Sequence, residues 1–177
     1  MTNFERLARV IAAVARNEDR ELSAFGKGIL YVPELAFAYL AAKAIVSRKS
    51  EIFDTSTVDW LPETGLGGPG RSDLVFRPAA GRAVVVEFKM NRGREDYVAD
   101  LRKLQSLGTS YDRLFCGVLG ASSDGIDTDP RIVAVEHVPD IPVRRVYAFE
   151  SFETKQPSLV QSVCCVVGVW QITGVTR

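Results

Sequence analysis

Apolar positions three and four apart open the chain. Phe4, Leu7, Ile11 and Val14 form one stripe across residues 2–16, and Thr2 and Glu5 stand at capping-box spacing at its start. The spacing predicts a helix there, with Arg6, Arg9, Arg16 and Arg20 on or near a solvated polar face. Residues 23–31 carry Gly26 and Gly28 and read as a connection. Pro33 suits a first helical position, and the alanine-rich run from Glu34 to Val46 predicts a second helix, largely buried and able to approach a sheet closely. Thr55, Thr57, Val58 and Trp60 predict a first strand within residues 51–60. The stretch 62–70, with its four glycines, reads as a loop near a substrate groove. It lacks the Gly-Lys-Ser/Thr ending of a nucleotide-binding P-loop.

Two further strands follow over 71–77 and 82–90, joined by the turn chemistry of Pro78-Ala79-Ala80-Gly81. Tyr97, Leu101 and Leu104 make the apolar stripe of a helix over 95–107, which Gly108 is placed to end. Residues 114–119 read as a short buried strand. The Asp/Gly-rich stretch 121–130 reads as a solvated turn, since Asp124, Asp127 and Asp129 miss the spacing of a calcium loop. Residues 131–135 and 145–149 predict two more strands, and the lone histidine, His137, reads as structural. The apolar, β-rich segment 158–173 is expected to pack at a sheet edge or a subunit interface.

The chemistry lies where the valine run of the third strand ends. Side chains alternate across a strand, so Glu87 and Lys89 share a face, their Cα atoms roughly 6–7 Å apart, while Phe88 points the other way. Asp73 sits near the start of the preceding strand. If the two strands pair as a hairpin, both carboxylates and the ammonium converge at its open end. A charged pair after Val84-Val85-Val86 needs a reason, because unpaired charge is costly to bury. One reading is a salt bridge at the sheet edge. The other is a divalent-metal site, with two carboxylates as hard oxygen ligands and the lysine assisting a phosphate or an attacking water.

Ser72-Asp73 followed by Glu87-Phe88-Lys89 resembles the paired motifs of the PD-(D/E)XK nuclease superfamily, with Ser72 where the name-giving proline would stand. The resemblance implies an α/β fold with a restriction-endonuclease-like αβββαβ core: a central mixed sheet flanked by helices, here with an extra N-terminal helix and added C-terminal strands. It implies a Mg²⁺-dependent nuclease, with Mn²⁺ as a substitute, that hydrolyses phosphodiester bonds in DNA for restriction, repair or mobile-element purposes. Asp73 and Glu87 are then metal ligands, the Phe88 carbonyl a further one, and Lys89 the residue that orients water and stabilises charge. The resemblance also implies a glutamate from the helix before the sheet, which Glu34 matches. Without it, an acid in a helix's first turn is explained by the helix dipole, worth roughly 0.3–1 kcal/mol. Arg92, Arg94 and Lys103 are candidate nucleic-acid contacts through phosphate, or simply solvated charges.

Composition narrows this picture little. The 177 residues suit one domain with its own core. Lysine plus arginine and aspartate plus glutamate number 22 each, so no basic field covers the whole chain, which favours a catalytically silent module as the alternative. Three cysteines give neither disulfide nor zinc spacing, and the adjacent Cys164 and Cys165, in an apolar run, read as buried thiols of a reducing compartment. With no signal-peptide pattern and no membrane-length apolar run, a cytoplasmic protein is expected. A homodimer or a place in a larger complex is expected too, because cutting both strands of a duplex takes two sites.

Overall fold

In the computed structural model, residues 2–68, 70–156 and 159–174 are described. Pro69 of the Gly-rich loop, Ser158 at the start of the C-terminal segment and the side chain of Asp124 lie outside them. Asn3, rather than Thr2, starts the first helix: its side chain accepts a hydrogen bond from the Arg6 N–H at 2.9 Å, and α1 runs Phe4–Ser23, well past residue 16. The arginine face is not bare. Arg6 pairs with Glu51, and Arg9 and Arg16 lie over the rings of Tyr147 and Phe152. A 3₁₀ turn, Ile29–Tyr31, leads to α2, Glu34–Ser47, whose N-cap is Pro33.

Residues 51–60 differ from the β-branched reading. A short helix α3, Lys49–Phe53, comes first, and strand β1 is Val58–Thr64. It runs through Pro62, which a sheet accepts because β1 is its edge strand. Then come β2 (Ser72–Pro78), β3 (Val84–Met90), α4 (Arg94–Ser106) and β4 (Asp112–Ala121). The β1–β2 and β2–β3 pairs are antiparallel. β3 and β4 are parallel, as the long crossover through α4 permits.

Residues 131–135 form a helix and not a strand. In α5, Pro130–Glu136, Asp129 caps the N-terminus by accepting from the Arg131 N–H at 2.9 Å, and Pro130 fills the first turn. Ile132 and Val135, three apart, bury one face. The cap and the 3.6-residue period outweigh the β-branched composition. The strand expected over 145–149 is β5, Val143–Arg145, shifted toward the N-terminus. β6 (Glu150–Gln156) and β7 (Leu159–Ile172) complete the sheet.

The strand order is β1-β2-β3-β4-β7-β5, with β6 also on β7. The C-terminal segment is therefore interior. β7 pairs with β4 on one side and with β5 and β6 on the other. From Cys164 to Ile172 its backbone therefore has a strand on one side in β4, and β5 and β6 supply partners on the other. Gly168 lets the strand pass under aromatic rings: a Cβ there would run into the rings of Trp170 and Phe149.

The result is a mixed seven-stranded sheet with helices on both faces. Leu74, Phe76, Val84, Val86 and Phe88 pack against α1, α2 and α3. Val75, Val85, Phe115 and Trp170 pack against α4 and α5. Phe37 and Phe88 meet edge to face at 5.7 Å, and each fully buried side chain of this kind contributes roughly 1.5–3 kcal/mol. The thiols of Cys116 and Cys165 are buried and that of Cys164 half-buried. No helix among the described residues is long and apolar enough to cross a membrane.

Candidate functional site

The β2–β3 ladder runs from Phe76–Val84 to Leu74–Val86 and stops there. One step further the same register sets Asp73 opposite Glu87, and the strands give up backbone pairing. Instead, Asp73 Oδ2 accepts the Phe88 N–H at 2.7 Å. A carboxylate has replaced a carbonyl in the ladder, which anchors Asp73 rigidly to the backbone of β3. Alternation puts Asp73 and Glu87 on the α4 side of the sheet, with Val75 and Val85, while Phe88 points into the opposite core.

Helix α4 crosses over this open end and contributes Asp100 and Lys103. Lys103 Nζ donates to Glu87 Oε2 at 2.8 Å and also to the Arg71 carbonyl. Lys89 Nζ pairs with Asp100 Oδ2 at 2.9 Å and with Glu34 Oε1 at 3.5 Å. Glu34 arrives from the other face. It sits at the first turn of α2, reaches over the end of β3 and accepts the Met90 N–H through Oε2 at 2.9 Å. Its carboxylate thus turns toward the cluster and does more than complement a helix dipole. The end of β3 is held in turn by Asn91, at φ 47°, whose side-chain oxygen accepts from the Gly120 N–H and from Arg131.

Glu34, Asp73, Glu87 and Asp100 thus face Lys89 and Lys103, leaving two more negative than positive groups in a poorly solvated place. Glu87 is 1% exposed, and its Oε1 has no hydrogen-bond partner. Burial, and then the Asp73 charge, push the Glu87 carboxyl up to about 7 against the pull of Lys103 and the nearby Ser72 hydroxyl. Burial also raises Asp73, although the Phe88 N–H and Lys103 oppose it. Lys89 is pulled down by burial, but Asp100 and Glu34 outweigh that and hold its ammonium above the ordinary value. A buried carboxyl with one orphaned oxygen and a raised pKa is short of positive charge.

The sequence-derived residues divide clearly. Asp73, Glu87, Lys89 and Glu34 come together. Lys103 joins them as a counter-ion of Glu87, so its ammonium does not face outward as a phosphate contact does. Arg92 and Arg94 lie outside: Arg92 is exposed beside Glu34 and Met90 at a shallow cleft, and Arg94 pairs with its neighbour Glu95 at 2.8 Å. Asp100 escapes the sequence reading. The signal is its place, with Lys103, one residue before Leu101 and Leu104 of the α4 stripe, which puts both on the flank of the buried face.

No group of three or more His, Cys, Asp or Glu side chains among the described residues stands together as a ready-made metal cluster. An ammonium lies against each of Glu87, Asp100 and Glu34. The donor set nevertheless fits a hard divalent cation. It is all oxygen, it carries surplus negative charge, and Glu87 Oε1 has no partner. Comparison with known protein families, curated proteins and solved structures finds no match.

Proposed function

We propose that this protein is a divalent-metal-dependent nuclease of the PD-(D/E)XK type acting on DNA. The observation that carries the reading is the convergence of Asp73 and Glu87 from adjacent antiparallel strands, with Lys89 on the same face and a buried carboxylate oxygen left without a partner. The element order supports it: helix, three antiparallel strands, a crossover helix and a fourth strand parallel to the third, which is the αβββαβ order of the restriction-endonuclease-like core.

Asp73 and Glu87 would hold Mg²⁺ or Mn²⁺, with the Phe88 carbonyl and Glu34 beside them. A cation so held supplies charge neutralisation at a phosphoryl oxygen and an acidified water. Lys89 contributes a fixed ammonium. Asp100 and Glu34 clamp it from two sides, so it meets the attacking water or the developing phosphoryl charge without reorganising. Asp73 positions as well as binds, since its bond to the Phe88 N–H ties the site to β3. Arg92 and Arg94, both exposed, would be the protein's contacts to the DNA backbone.

The test is cleavage of a mixed DNA panel in Mg²⁺ and in EDTA by wild type, Glu87→Gln and Lys89→Ala. Metal-dependent cutting by wild type alone supports the reading, and undiminished cutting by both variants refutes it. A binding-only module of the same fold is the second reading, favoured by the Lys103 ammonium on Glu87. It predicts DNA retention with no cleavage under any metal.

A further inference from the structure

The contacts of Lys103 resemble those of a metal ion more than those of a surface lysine. Its Nζ lies against two hard oxygens from different elements, Glu87 Oε2 at 2.8 Å and the Arg71 carbonyl at the head of β2. The side chain is only 19% exposed, and its partner carboxylate 2%. The backbone supports this placement: Gly70 at φ 78° turns the chain just before Arg71, next to the Lys103 side chain, and Gly68 packs on Leu107 and Ser106 at the end of α4. The other lysine of the site is bound differently, by Asp100 and Glu34, and does not touch Glu87. Glu87 therefore has one cation, delivered by α4, and one oxygen still free.

We infer that Lys103 is a resident counter-ion that occupies the cation position between Glu87 and the Arg71 carbonyl and must withdraw for a divalent ion to engage Glu87. This rests on the metal-site reading above. It adds that Lys103 satisfies Oε2 of Glu87 when no metal is bound, leaving Oε1 without a partner, and that metal affinity is set by a competition within the chain. The competition has a physical basis: a buried carboxylate left without its ion pair is strongly destabilising, so the empty site keeps the ammonium until a stronger cation replaces it. Lys103 is thus a positioning residue for the carboxylate and a competitor for the metal. It is not a phosphate ligand in the empty state.

The experiment is Mn²⁺ titration by calorimetry, without DNA, of wild type and Lys103→Met, which keeps the stem and removes the charge. Lys103→Met is expected to bind Mn²⁺ about tenfold tighter or more, since the ion no longer displaces a buried pair. Equal or weaker binding overturns the inference, as does the absence of Mn²⁺ binding in both proteins. A second measurement uses wild type alone and does not depend on the variant folding. Amine-reactive labelling of Lys103, read by peptide mass spectrometry against the exposed Lys43, is expected to rise severalfold on adding Mn²⁺. Unchanged or reduced labelling of Lys103 overturns the inference. Both readouts are independent of cleavage, so a protein that binds metal in this manner yet cuts nothing would refute the nuclease reading and leave the Lys103 inference standing.

Discussion

Glu87→Gln is expected to make the metal-free protein more stable at alkaline pH and to leave it nearly unchanged in mild acid. Glu87 is 1% exposed, and its carboxyl moves from an ordinary 4.5 to about 7 in the folded chain. A folded-state pKa above the unfolded one means that the native protein holds a proton which the unfolded chain releases. Its contribution is most favourable below 4.5, is lost as pH climbs toward 7, and is flat above. At about 1.4 kcal/mol per unit, the whole interval corresponds to ~3 kcal/mol. Glutamine mimics the protonated acid and carries no such penalty. Urea denaturation in EDTA should therefore give coincident curves at about pH 4, below the unfolded-state value, while at about pH 8 the variant midpoint should lie roughly 1–2 M higher. Saturating Mn²⁺ should close the gap for wild type only. A variant less stable than wild type at about pH 8 would refute the reasoning, because the Lys103 pair would then outweigh burial and Glu87 would ionise as an ordinary acid.

Two further outcomes test the frame around the site. Gly168→Ala should destabilise the fold by ~1–3 kcal/mol or more, because the new methyl group must displace the rings of Trp170 and Phe149; an unchanged melting temperature with unchanged Trp170 fluorescence would contradict the packing. Asp129→Ala should cost about 1–2 kcal/mol through loss of the α5 cap, with the Arg131 pair lost as well. Burial works against ionised Asp129, but Arg131 wins and holds its carboxyl below 3.8. The difference between wild type and this variant should therefore persist above 3.8 and shrink as pH falls below it; a difference that grows on acidification would contradict the pairing.

The hairpin at the centre of the site is legible in the sequence because its logic is local. Alternation fixes which side chains share a face, and a short turn with Gly81 at φ 100° limits how β2 and β3 can pair. Asp73 comes opposite Glu87, with Lys89 on the same face, for those reasons alone. The helices α1, α2 and α4 are legible from their periods, but their ends are not. Thr2 and Asn3 are both plausible caps, and only the Asn3 side chain takes up the Arg6 N–H. Residues 131–135 show where composition misleads. A short β-branched run does not reveal its period, and the Asp129-Pro130 start decides in favour of a helix.

What only the tertiary structure decides is which distant elements close on that hairpin. The C-terminal segment reads as packing at a sheet edge or a subunit interface, yet β7 lies inside the sheet, because β5 and β6 return to cover its second side. Nothing within residues 159–172 encodes those partners. The same holds at the site. Asp100 and Lys103 reach Lys89 and Glu87 only because the parallel β3–β4 pairing sends α4 across the open end of the hairpin. Glu34 reaches Lys89 and the Met90 N–H only because α2 packs on the opposite face with its N-terminus at the end of β3. A strand's own sequence specifies which way its side chains point. The charges those side chains meet depend on how the helices dock, and docking is settled by the summed packing of both cores.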